Sequence, residues 1–288
     1  MKWKSAHLVQ PHTKIRLSGI STSNHNGFAD KARAEVVMGR HRLQLDRLQE
    51  VFYASQSKAM LIVLQGMDTS GKDETIRHIF SGINPQGCDV SSFKVPTPLE
   101  ARHEFLWRCQ KRVPPRGMIG IFNRSHYEDV LSTRVHGVID AKTVRRRVDD
   151  INAWEESLAD ENVIILKFYL HISRNEQTER LQSRIDTPDK RWKLSPADFA
   201  ERQFWPKYID AYEEVLSHTS QKHAPWFVIP SDHKWYRNVA VSTILVEAMR
   251  GLNLAYPSPS FDPKGMKLKE EASAKVAKQV KLRSEKSI

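Results

Sequence analysis

The sequence predicts an α/β fold: a doubly wound, three-layer sandwich around a parallel sheet of about five strands, completed by a helical lid. Three observations predict the sandwich. Continuous β-rich apolar runs recur at 60–64, 90–95, 118–122, 163–172 and 226–229. Unbroken rather than alternating apolar character is what a strand buried on both faces of a parallel sheet requires. Helical stretches separate the runs, and no linker interrupts the alternation, so residues 30–257 are expected to form one domain.

In chain order, residues 1–29 are polar and aperiodic and are expected to form an arm on the surface. From Lys31 to Ser57 the apolar set Val36, Val37, Leu43, Leu45, Leu48, Val51 and Phe52 has helical spacing. The first strand follows, then a helix over 74–80. Thr97-Pro-Leu-Glu100 and Ser173-Arg-Asn-Glu176 read as capping boxes, and Ser195-Pro-Ala-Asp198 places proline at a first helical position. Residues 258–288 are expected to be a basic tail, exposed as a helix or extended.

Composition excludes several classes. The 288 residues are 40% hydrophobic and 27% charged, an ordinary globular mixture. The longest apolar run, from Ala59 to Leu64, is far short of a membrane span. The basic N-terminus reaches no apolar stretch or cleavage site, so secretion is not expected. Cys88 and Cys109 are too few for a disulfide framework or a cysteine zinc site, and a cytoplasmic setting is expected. Net charge of +11 implies an acidic partner. From Lys264 onward eight Lys/Arg face three Glu, so about half of that surplus lies in the tail.

The first strand ends in Gly66-Met67-Asp68-Thr69-Ser70-Gly71-Lys72-Asp73, a G-x-x-x-x-G-K pattern with Asp73 where Ser or Thr is usual. The glycines let backbone amides curl round a phosphate at the start of the next helix, and Lys72 adds a point charge for the outer phosphates. Replacing the hydroxyl at position 73 removes the usual magnesium ligand, whereas Asp68 puts an acid inside an anion cradle. A divalent cation between acid and phosphate resolves that conflict. The alternative is that Asp68 caps loop amides.

The third strand leads into Phe122-Asn123-Arg124-Ser125-His126-Tyr127-Glu128-Asp129. Polar residues at the carboxyl end of a buried strand face the crevice where α/β folds bind ligands. Asn123 stands where a Walker B strand presents Asp; Glu128 and Asp129 can supply the missing charge, or serve only as acids at a helix start. Arg124 is placed to bind phosphate. A further basic cluster, from Arg180 through Arg184 to Lys190-Arg191-Trp192-Lys193, lies in a proline-containing loop between helices. Such a segment, about 184–200, suits a lid that closes over phosphates. A solvated charged loop is the alternative.

These residues carry a resemblance. Leu64 through Asp73 is similar to the Walker A region of the second polyphosphate kinase family, a P-loop kinase-like fold. The segments from Asn84 to Val90, Ser92 to Thr97, Phe105 to Arg108, Phe122 to Val130, Arg134 to His136, Lys190 to Lys193, Ala224 to Trp226, and Lys234-Trp235 resemble its later motifs. The likeness runs in order from about residue 30 to Pro257. Asn123 followed by Glu128 resembles the subgroup that phosphorylates both nucleoside mono- and diphosphates.

The resemblance implies reversible transfer of the terminal phosphoryl group of inorganic polyphosphate to ADP and GDP, and to AMP and GMP, with Mg²⁺ or Mn²⁺. It implies catalytic roles for Asp68, Lys72, Arg124 and Asp129, with Asp68 and Asp129 on the metal. Gly66, Met67, Thr69, Ser70, Gly71, Asp73, Asn123, Glu128, Arg134, Arg184, Arg191 and Lys193 are expected to bind phosphate or nucleotide. Lys94, Lys234 and Arg237 are expected along a polyphosphate channel. A homo-oligomer without nucleic-acid or membrane partners is expected. Phosphoryl transfer agrees independently: it needs in-line positioning and neutralised oxygens rather than covalent work. An ATP-dependent nucleotide kinase would share the loop, sheet and lid. A hydrolase would need a water-positioning residue, and none is legible. A nucleic-acid binder would show a reader motif or stacking platform, and neither is present.

Overall fold

The computed structural model describes residues 5–260. One compact unit runs through Ala255, and Tyr256 begins a second stretch. Nearly all of the expected basic tail lies outside the described residues.

The elements alternate as expected. Helix α1 (Lys31–Ser55) precedes β1 (Ala59–Gln65), α2 (Lys72–Ile79), β2 (Cys88–Ser92), α3 (Trp107–Gln110) and β3 (Ile119–Asn123). Then come α4 (Glu128–Val135), α5 (Ala141–Asp160), β4 (Val163–His171) and α6 (Arg174–Asp186). A 3-10 turn (Pro188–Lys193), α7 (Pro196–Glu201), α8 (Trp205–Thr219), β5 (Trp226–Pro230) and α9 (Lys234–Gly251) complete the unit. All five strands are parallel, in the order β2-β3-β1-β4-β5. The chain leaves β1 for one edge and later crosses to the other, so the topological switch lies at the carboxyl end of β1, between β3 and β4. Register sets the site: Leu64 lies opposite Asn123 on one side and Phe168 on the other.

Alternate residues of each strand feed two cores. Leu61, Val63, Phe122, Tyr169 and Trp226 pack towards α4, α5 and α8, while Met60, Ile62, Ile121, Phe168 and Phe227 pack towards α1 and α9. Each such fully buried side chain contributes about 1.5–3 kcal/mol. No helix of the described residues is long and apolar enough to cross a membrane.

Four expectations need correction. The strand expected at 90–95 is Cys88–Ser92, an edge strand with one neighbour; Val90 is exposed on it, and Val95 is exposed beyond its end. In α1 the inward stripe is Ala34, Met38, Leu45, Gln49 and Phe52, and Val36 and Leu43 face outward. At α6, Ser173 Oγ accepts from Glu176 N as expected, but Asp232 rather than Glu176 receives the Ser173 amide. Glu176 instead pairs with Arg180. The arm is stitched down rather than laid on the surface. Leu8 bridges antiparallel to Phe227, Val9 and Leu17 are buried, and His171 Nε2 meets the Leu17 and Ile20 carbonyls.

Candidate active site

The loop after β1 turns sharply at Gly66. A Cβ there would meet Ser70 Oγ at 2.7 Å and the Leu170 carbonyl at 2.8 Å, so no side chain fits. Gly71 has φ +101°, and a Cβ on it would land in the Arg237 guanidinium. The loop therefore closes tightly, and the first amides of α2, which lack intrahelical partners, face the crevice. Thr69 Oγ1 and Ser70 Oγ are buried without a partner among the described residues, as hydroxyls awaiting an anion would be. Lys72 Nζ bonds the Gly66 and Met67 carbonyls at 2.8 and 3.2 Å. Burial, reinforced by the neighbouring Arg124 cation, pushes the Lys72 amine down to about 8 against the pull of Asp68, Glu128 and Asp73.

Two arginines hold this loop from behind. Arg180 donates to the Thr69 and Ser70 carbonyls at 2.8 and 3.0 Å, and to the Ser231 carbonyl at 2.5 Å. Arg237 donates to the Ser70 carbonyl at 3.2 Å and pairs with Glu74 at 3.2 Å. Gln177 adds a bond to the Asp68 carbonyl at 3.0 Å. Arg237 is thus not a channel residue. It is fully buried, and its donors all face protein, because the space beside Gly71 accommodates it.

The segment after β3 supplies the front wall. Asn123 Nδ2 donates to Asp73 Oδ1 at 2.5 Å. The two departures from the usual pattern are therefore one exchange: the carboxylate has moved from the strand end to the helix start, and the amide compensates it. Arg124 adopts φ +61°, strained for a residue with a Cβ. That conformation turns its guanidinium across the crevice to Asp68 Oδ1 at 2.6 Å and Glu128 Oε2 at 3.5 Å. Burial opposes its charge, but Glu128 and Asp68 outweigh burial and hold its pKa above the ordinary value. Asp129 points elsewhere, to Arg108 at 3.1 Å. The pair lies on the wall of a cavity of about 710 Å³ shared with Glu104, Phe105, Arg146 and Arg147.

The remaining candidates scatter. Arg184 lies 3.6 Å from Asp198, whose carboxyl is pushed up by burial and by Asp68, so the base of the lid faces the loop. Arg191 and Lys193 are exposed; Arg191 Nε bonds the Ile185 carbonyl at 2.8 Å and Lys193 lies over Trp192. Lys94 and Lys234 are exposed, and Lys234 acts on Glu74. Arg134 is a correction: it pairs with Glu214 of α8, at the far end of α4, beside a separate cavity of about 360 Å³. Gln177 was not anticipated, and Arg180 and Arg108 were expected only as part of the lid cluster and of a family-like motif. Their carbonyl and acid partners lie far off in the chain and leave no signature in a helical segment.

A divalent cation has one evident seat. Among the described residues, no three His, Cys, Asp or Glu side chains are grouped to hold a metal. Magnesium, however, takes one or two carboxylates and completes its shell with water and phosphate oxygens. Asp68, beside the orphaned loop hydroxyls, fits that demand. Asp129 is paired with Arg108 much as Asp68 is with Arg124, so either carboxylate would exchange an arginine for the cation. Of the two, Asp68 adjoins the loop hydroxyls.

Comparisons with known proteins point to one family. The family model for Polyphosphate kinase 2 (PPK2) matches residues 29–256. The AMP/ADP-polyphosphate phosphotransferase of Meiothermus ruber is 45% identical over 87% of this chain and 94% of its own length. The ADP-polyphosphate phosphotransferase of Rhodopseudomonas palustris is 45% identical over 75% of this chain and 80% of its own. The crystal structure of Polyphosphate Kinase 2 from Arthrobacter aurescens superposes with a TM-score of 0.85 at 37% identity, covering 95% of this chain and 99% of that one. With the loop, the crossing arginine and the switch-point crevice all in place, the chain belongs to the polyphosphate kinase 2 family.

Proposed function

We propose that this protein transfers the terminal phosphoryl group of inorganic polyphosphate to AMP and ADP. Guanine nucleotides as acceptors and reversal of the reaction belong to the same proposal. The observation that carries it is the reach of Arg124, which joins Asp68 in the phosphate loop to Glu128 at the start of α4. Donor cradle and crevice are thereby one electrostatic unit. The names of the two relatives above, an AMP/ADP- and an ADP-polyphosphate phosphotransferase, support the choice of donor and acceptors.

In this reading the loop amides, the Thr69 and Ser70 hydroxyls and Lys72 grip the end of the polyphosphate. Arg124 neutralises the oxygens of the transferring group, where charge spreads in the transition state. Magnesium or manganese held at Asp68 supplies further neutralisation of those oxygens. The acceptor lies in the cavity beside Asp129, whose volume suits a nucleotide and whose arginines suit its phosphates. Its attacking oxygen is already ionised near neutral pH, so no general base is required. Arg184 approaches from the lid side.

The test is an assay with ADP or AMP, long-chain polyphosphate and magnesium, with no ATP added. ATP or ADP should form, and excess EDTA should stop it. Transfer only when ATP is supplied as donor would replace this reading with an ATP-dependent nucleotide kinase.

A further inference from the structure

Behind the front wall lies a buried ionic cluster that the phosphate chemistry does not touch. Lys167 of β4 and Glu155 of α5 are fully buried and paired at 2.5 Å. The Lys167 ammonium also donates to Tyr127 Oη at 2.9 Å and to the Thr219 carbonyl at 2.7 Å. Tyr127 Oη donates in turn to Glu155 Oε1 at 2.9 Å, and His126 Nε2 lies 3.2 Å from the same oxygen. Burial keeps the His126 pKa below its ordinary value, so the neutral ring donates through Nε2.

Such a pair is a poor source of stability, since apolar side chains of similar size often serve a core as well or better. Its location suggests another use. Both groups it grips, His126 and Tyr127, sit between Arg124 and Glu128. Ser125 makes the connection tight: its hydroxyl accepts from Tyr127 N and its carbonyl from Glu128 N. On the other side, Arg124 N donates to the Leu64 carbonyl of β1. A left-handed arginine persists only when its surroundings over-determine it, and this cluster is the fixed point on the downstream side.

We propose that Lys167 and Glu155 are positioning residues: the buried pair grips His126 and Tyr127 and so holds Arg124 between Asp68 and Glu128. Its kinetic test rests on the phosphotransfer reading, and its structural test does not. The double variant Lys167→Met/Glu155→Leu replaces charge with apolar bulk, which a merely structural role would accept. It should still fold and melt cooperatively, at a temperature lowered only by the bonds that Tyr127, His126 and the Thr219 carbonyl lose, and keep its KM for polyphosphate within about twofold. Turnover should fall at least about tenfold, as small misplacements of a catalytic group do. Its crystal structure should show Arg124 off Asp68. Wild-type turnover, or an intact Arg124–Asp68 pair in that structure, overturns the proposal. Should the double variant not fold, Tyr127→Phe removes only the hydroxyl shared by the pair. It should lower turnover by about threefold or more at unchanged melting temperature, and wild-type turnover there also overturns it. A wild-type protein inactive with polyphosphate would defeat the functional reading, while the variant's crystal structure would still decide this one.

Discussion

The phosphate loop and the lid both carry cations, and the protein holds them in opposite ways. Lys72 is only 8% exposed, and its loop is backed by Arg180 and Arg237 through the Thr69 and Ser70 carbonyls. Moving either arginine away takes bonds from these buried carbonyls, and each one left unpaired costs about 1–3 kcal/mol. Arg191 and Lys193 face solvent, where water replaces any bond they lose. A cradle that must meet a transition state without reorganising has to be of the first kind. A cover that must open for substrate has to be of the second.

The contrast breaks first at its centre. Lys72→Ala should lower turnover by about 10²-fold or more, in the range of other preorganised charges. Its melting temperature should fall modestly, through the bonds that the Gly66 and Met67 carbonyls lose; steady-state assays and thermal melts measure both. Near-wild-type activity would remove the loop from the chemistry. Gly71→Ala tests the backing. With φ +101° and a buried guanidinium in the way, it should lower the melting temperature and reduce turnover by roughly tenfold or more. Unaltered stability would mean that Arg237 yields easily and the loop is not braced.

The lid should respond differently. Arg184→Ala should lower turnover by about tenfold while changing polyphosphate affinity of the resting enzyme by less than about threefold, because its charge acts in the closed, drier state. Proteolysis near Lys190 should slow when nucleotide and polyphosphate are bound together. Equal cleavage with and without ligands would make the lid a solvated loop. The smallest effect is a proton. With Lys72 at about 8 in the free protein, a bound polyanion favours the ammonium form and raises that value. Binding should therefore take up a proton, increasingly so as pH rises past 8, and affinity should weaken over the same interval. Calorimetry in buffers of different ionisation enthalpy reads the uptake directly, and none at pH 9 would place Lys72 off the phosphates.

Much of this molecule was legible before folding. Four apolar runs and a glycine-lysine loop on the first of them marked the inner strands, because burial on both faces and a positive φ leave local marks in sequence. The run at 90–95 only approximated the exposed edge strand. Asp68, Lys72, Arg124 and Glu128 were legible for the same reason, each lying within a few residues of a strand end. Three other matters were decided only in the tertiary structure. Arg237 looked like a channel cation, yet α9 packs it under Gly71. Arg134 looked like a ligand, yet α8 presents Glu214 to it. Arg108, Arg180 and the Lys167–Glu155 pair owe their roles to partners on other elements. Strand and turn preferences act between neighbours in the chain and are written there. The choice between a solvated cation and a buried clamp depends on which carbonyls and carboxylates the fold brings alongside, and that is known only once the layers have packed.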